Sequence, residues 1–118
     1  MDWTRVKYFK KEEFACHCCG ECHIDEKFVH KLDHARGDSG TPFKINSGYR
    51  CPKHDDEIGG SGIHPLGIAA DIFCTGSNDR FGILRSLIVN GFSRIGIRKD
   101  FIHVDISNER PDWLVWLY

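Results

Sequence analysis

Two stretches of the chain repeat apolar residues at helical spacing. In "HIDEKFVHKLDHARGDSG", Phe28, Val29 and Leu32 share one face, which predicts a helix from about Asp25 to Arg36. Gly37 and Gly40 follow where a helix should stop. "SNDRFGILRSLIVNG" is the clearer helix: Ser77 or Asn78 can cap it, Phe81, Leu84, Leu87 and Ile88 fall on one side, and Gly91 ends it.

Between and after these stretches the period changes to two. "PFKINSGYR" alternates Phe43, Ile45 and Ser47 against Lys44 and Asn46, a strand running into a Ser-Gly turn. "GIAADIF" is apolar apart from its aspartate, as a short buried strand would be. "FSRIGIRKDFIHVDI" reads as two strands joined at Arg98 to Asp100, and "CPKHDDEIGGSG" as a Gly-rich connection with at most one helical turn. No repeat, linker or low-complexity stretch interrupts the pattern. The expectation is one α+β domain over residues 1–118, a small antiparallel sheet with flanking helices.

Composition narrows the function classes. A chain of 118 residues can bury one real core, and at 41% apolar it has no run long enough to span a bilayer. A net charge of −1 argues against broad electrostatic capture of nucleic acid or of an anionic membrane, so neither is expected as a partner. The opening "MDWTRVKYFKKEEF" lacks the apolar core of a secretory signal, so synthesis in the cytoplasm is expected. A monomer is expected.

Six cysteines are many for this length. Cys16, Cys18, Cys19 and Cys22 crowd into "CHCCGEC" with His17 and His23 interleaved, while Cys51 and Cys74 stand alone. Thiolates and imidazoles at such spacing suit a structural zinc in the Cys16 to Cys22 segment, although the pattern is not a clean pair of C-x-x-C knuckles. Free or oxidisable thiols in a loop are the competing reading.

The sharper question lies in "SGIHPLGIAADIFC". His64 and Asp71 are either two ligands of one metal ion or a loop histidine followed by an ordinary strand. In a helix, seven residues would separate them by roughly 10 Å, too far for one zinc. Pro65 and Gly67 argue against an unbroken helix, and a turn through Pro65-Leu66-Gly67 could fold His64 back towards Asp71. Asp71 sits among Ile68, Ala69, Ala70, Ile72 and Phe73, where a carboxylate is costly unless paired or metal-bound. A third polar side chain appears in "KDFIHVDIS". Ile102, Val104 and Ile106 face one side of that strand, leaving Phe101, His103 and Asp105 on the other. Two histidines and an aspartate suit a catalytic zinc with an open position; a half-exposed strand with solvated polar groups is the bland alternative.

Taken together, "SGYRCP", then "GG", then H-x-x-G-x-A-x-D and finally D-x-x-H-x-D resemble the zinc D-Ala-D-Ala carboxypeptidase family. Its relatives include the vancomycin-resistance dipeptidases, phage L-alanyl-D-glutamate endolysins and, more remotely, the hedgehog signalling domain. The resemblance runs from about Phe9 to Ile106 and implies that fold. It implies zinc ligation by His64, Asp71 and His103. It also implies Asp100 as the general base, and Arg50 as the cation holding the substrate or the oxyanion of a tetrahedral intermediate. Strand alternation alone would favour Asp105, which shares a face with His103. Asp100 falls in a turn and need not obey that alternation, and family position assigns it the base, leaving Asp105 to support a ligand. One departure stands out: Gly62 occupies the place, two before the first zinc histidine, where relatives carry a serine that hydrogen-bonds substrate.

The function implied is a zinc peptidase cutting an amide in the peptidoglycan stem peptide. Carboxypeptidase action on D-Ala-D-Ala and endopeptidase action on L-Ala-D-Glu are both open, as is bacterial or phage origin. A lytic enzyme of this type would act on the cell wall. The alternatives are a non-catalytic zinc-stabilised binding module, and a structural zinc protein organised by the cysteine segment alone.

Overall fold

A computed structural model describes residues 1–118. A 3-10 turn at Trp3–Arg5 and the short helix α1 (Lys11–Phe14) lead into α2 (Glu26–Ser39). Strand β1 (Ile45–Ser47), helix α3 (Pro52–Glu57), a 3-10 turn at His64–Leu66 and strand β2 (Ala69–Phe73) follow. Helix α4 (Ser77–Val89) then precedes β3 (Arg94–Ile97), β4 (Phe101–Asp105) and β5 (Leu114–Leu117). No helix is long and apolar enough to cross a membrane.

The five strands form one sheet in the order β1-β2-β4-β3-β5. Pairing is antiparallel from β1 through β3, as expected, but β5 runs parallel to β3, so the sheet is mixed. The class is α+β.

One face of the sheet carries the core. Ala70 and Ile72 of β2, Ile102 and Val104 of β4 and Ile95 of β3 meet Phe28, Val29 and Leu32 of α2 and Ile83 and Leu87 of α4. Each fully buried valine, leucine, isoleucine or phenylalanine among these contributes about 1.5–3 kcal/mol relative to exposure. Period-two alternation therefore turns Asp71, His103 and Asp105 to the opposite face.

Helix α2 starts where the sequence places it, with the Asp25 carboxylate accepting from the Phe28 amide at 3.0 Å. It runs past Gly37 to Ser39, three residues beyond the expected end. A single internal glycine costs only about 1 kcal/mol. Asp33, buried on this helix, accepts from the Lys7 and Tyr8 amides at 2.9 and 2.8 Å and so ties down the N-terminal segment. Helix α4 is rotated from its expected phase. Ile83, Ser86 and Leu87 are buried, whereas Phe81 and Ile88 are 69% and 52% exposed. Apolar residues lie nearly all round this helix, so its pattern could not fix the phase. Ser86 tolerates burial because its hydroxyl donates to the Ile83 carbonyl at 2.8 Å. Its N-cap is Gly76, without a side-chain cap, rather than Ser77 or Asn78.

Candidate metal centre

The register lines up one residue from each strand on the open face. Ser47 pairs with Asp71, Asp71 with His103, His103 with Gly96, and Gly96 with Trp116. Gly96 has to be small: a Cβ there would stand 2.6 Å from the Trp116 indole. The indole instead crosses β3 and tilts against His103, with ring centroids 5.6 Å apart.

His64 reaches this row from outside the sheet. Pro65 and Leu66 form a 3-10 turn that stops at Gly67, whose φ of 73° lies in the left-handed region. A side chain at Gly67 would also strike the His23 backbone. The turn aims the buried His64 ring back at β2, and the ligating atoms of His64, Asp71 and His103 all lie within 4.8 Å of one another.

Their hydrogen bonds fix which atoms face inward. His64 Nδ1 lies 2.8 Å from the Gly48 carbonyl, which can only accept, so Nδ1 carries the proton. Its Nε2 is left with a lone pair facing Asp71 Oδ2 at 3.5 Å. His103 has a carboxylate at each ring nitrogen, Asp105 Oδ2 2.7 Å from Nε2 and Asp71 Oδ1 2.9 Å from Nδ1, so a metal taken at Nδ1 leaves the proton on Nε2, donated to Asp105. The other Asp105 oxygen accepts from Arg94 Nε at 2.7 Å and from the Ser107 amide at 3.0 Å.

Two imidazole lone pairs and a carboxylate thus converge in a largely dry site, which requires positive charge at its centre. Burial works against charge on Asp71, yet without a metal the hydrogen bonds that His103 and His64 donate when protonated on the facing nitrogens hold its carboxyl well below the usual carboxylate range. Burial also opposes a charged His103, but its bonds to Asp105 and Asp71 outweigh that and raise its pKa. The site pulls in a proton where a cation could sit. Tetrahedral zinc, with ligands at about 2.0–2.2 Å, spaces its donors by roughly 3.3 Å. The His64–Asp71 and His103–Asp71 separations of 3.5 and 2.9 Å bracket that spacing.

Arg50 lies beside the trio. Its side chain is 11% exposed, with Nη2 3.9 Å from Asp71 Oδ2 and donating to Ser47 Oγ at 3.0 Å. Nη1 donates to Asp55 Oδ1 at 2.7 Å. Asp55, buried on α3, also accepts from the Gly62 amide at 3.0 Å. The Gly62 amide thus braces the partner of Arg50. Asp100 lies apart from this cluster, in the β3–β4 turn. Its side chain is 51% exposed, and Oδ1 is 3.6 Å from Arg98 Nε.

Three participants were not singled out by sequence reasoning. Asp55 is one of three consecutive acids in "DDE", and nothing in the pattern marks which one turns inward. Arg94 looks like a strand-edge charge. Trp116 was recoverable, because "LVWLY" is an apolar run able to form a strand.

The cysteines regroup. Cys16, Cys19 and Cys51 bring their sulfurs within 4.8 Å of one another, so Cys51, which stands alone in sequence, joins the cluster. Cys22 packs against the hydrophobic core instead.

No curated protein matches the chain. The model of the Peptidase M15 family matches it over residues 7–105, a span that holds His64, Asp71, His103, Arg50 and Asp100. With a zinc-compatible trio on the open face of its sheet, the chain belongs to the Peptidase M15 family.

Proposed function

We propose that the chain is a zinc peptidase that hydrolyses an amide in the stem peptide of bacterial peptidoglycan. The observation that carries this reading is the convergence of His64 Nε2, Asp71 and His103 Nδ1 beside a braced arginine. Held by these three residues, zinc supplies Lewis-acid polarisation of a carbonyl and an acidified water near neutral pH.

The rest of the chemistry belongs to the protein. Arg50 is held at Nη1 by Asp55 and at Nη2 by Ser47, so its guanidinium is fixed before substrate arrives. A fixed donor is what developing negative charge on a carbonyl oxygen requires. The same guanidinium suits a substrate carboxylate. Both candidate bonds offer one: the terminal carboxylate in D-Ala-D-Ala, and the α-carboxylate of glutamate in L-Ala-D-Glu.

Asp100 takes a proton from the attacking water and passes one to the leaving amine. To do so its carboxylate exchanges Arg98 for the site. An exposed ion pair of this kind is worth under about 1 kcal/mol, so the exchange is cheap. Trp116 gives the site a flat apolar wall on the β5 side.

The test is digestion of purified peptidoglycan by the zinc-loaded chain, with products identified by mass spectrometry. Release of D-alanine identifies a carboxypeptidase, and a new glutamyl N-terminus an endopeptidase. Neither product from any stem-peptide fragment would overturn the proposal and favour a binding module.

A further inference from the structure

The cysteine cluster plays no part in the chemistry above, yet it is built more carefully than a group of spare thiols. We propose that Cys16, Cys19 and Cys51, completed by Cys18, hold a structural zinc ion that joins the N-terminal loop to the loop carrying Arg50.

The sulfurs come from two distant segments. Cys16 and Cys19 form a C-x-x-C pair on a turn closed by the Cys16 amide to the Glu21 carbonyl at 2.7 Å and the Gly20 amide to the Cys16 carbonyl at 2.8 Å. Cys51 arrives from the far side of β1 and places its sulfur within 4.8 Å of both. Cys18 is exposed on the same turn, between Cys16 and Cys19, and is the thiol this assignment takes as the fourth donor.

Backbone amides are aimed at these sulfurs. The Cys51 amide donates to Cys16 Sγ at 3.3 Å. The His54 amide donates to Cys51 Sγ at 3.4 Å. A neutral thiol is a weak acceptor that gains little from such bonds, whereas a thiolate is stabilised by each. Several thiolates at this separation repel one another unless a cation lies between them. On binding, the thiols release their protons to solvent and the sulfurs take the ion. Soft sulfur donors in a tetrahedral set select zinc, and four of them leave no open position for substrate.

The placement gives the ion a structural task. Cys51 follows Arg50 and caps α3, the helix that carries Asp55. A metal bridge from Cys51 to Cys16 and Cys19 therefore anchors the chain immediately beside the Arg50–Asp55 pair.

Cobalt substitution of the reduced, full-length chain tests this by absorption. Intense thiolate-to-cobalt charge transfer in the near ultraviolet is expected in the wild type, in His103→Ala and in Cys22→Ser. It should vanish in Cys51→Ser, with one zinc fewer per chain in the same preparation. A wild type lacking the band overturns the proposal, as does a Cys51→Ser variant that keeps it. A Cys16–Cys51 or Cys19–Cys51 disulfide in protein trapped with an alkylating agent also overturns it. The wild-type spectrum decides the matter even if a serine variant fails to fold. Because His103→Ala retains the thiolates, the outcome is independent of the peptidase reading.

Discussion

Replacing Asp105 by Asn changes one atom type at the back of the metal centre and should be felt at its front. The buried Asp105 side chain accepts three hydrogen bonds: Arg94 Nε and the Ser107 amide at Oδ1, and His103 Nε2 at Oδ2. An asparagine has a single acceptor oxygen, and the two donors at Oδ1 claim it. The amide nitrogen then faces His103 Nε2, donor against donor. The ring relieves this clash by moving its proton to Nδ1, the atom facing Asp71. To bind zinc through Nδ1 it must restore the clash, at a cost of about 1–3 kcal/mol for the unmade buried bond. That corresponds to roughly 10- to 100-fold weaker zinc binding, the range typical of residues that orient a metal-bound histidine. The assay is competition for zinc against a chromophoric chelator, with circular dichroism to confirm the fold. Affinity within about twofold of the wild type would refute the tautomer argument.

Other outcomes follow from the same geometry. Asp100→Asn should keep zinc and fold while losing about two to four orders of magnitude in stem-peptide hydrolysis, the usual contribution of a general base; full activity, with collapse in Asp105→Asn, would reverse the two roles. Gly96→Ala places a methyl 2.6 Å from the Trp116 indole. Overpacking of this kind costs about 1–3 kcal/mol, so the denaturation midpoint should fall and the tryptophan emission shift, and an unchanged midpoint would show that β5 yields freely. The metal-free chain should lose stability as pH rises from about 6.5 through the raised pKa of His103, because protonation of that ring stabilises the fold only below it. In acid, stability should fall as Asp71 and Asp105 protonate, both being held below their ordinary values. A metal-free stability curve that rises from pH 6 to 8 in chemical denaturation would contradict this. Zinc should remove the alkaline loss.

The elements that place the trio were legible because their signals are local. The alternation of Phe101, His103 and Asp105 against Ile102 and Val104 fixes a strand face, and Pro65 with Gly67 forces a turn before β2. The H-x-x-G-x-A-x-D spacing then has a geometric meaning: Gly67 accommodates the close approach of the His23 backbone, and Ala69 shares Asp71's face without crowding it. What could not be read depends on contacts between distant segments. The phase of α4 was hidden by apolar residues on several sides. The burial of Asp55 depends on where α3 docks, and β5 adds to the sheet by parallel pairing with β3 across the whole β4 hairpin. The partnership of Cys51 with Cys16 and Cys19 is of the same kind, since 35 residues separate Cys16 from Cys51. The placement of Arg50 is too: a lone surface arginine in the sequence, it is nearly buried once Asp55, Ser47 and Asp71 surround it.

Zinc-edge anomalous diffraction from crystals of the zinc-loaded chain decides whether His64, Asp71 and His103 hold the ion, because it locates the metal without reference to activity. The expected peak is bonded to His64 Nε2, an Asp71 oxygen and His103 Nδ1, with His103 Nε2 still on Asp105. No peak among these residues, or one bonded to His103 Nε2, would contradict it.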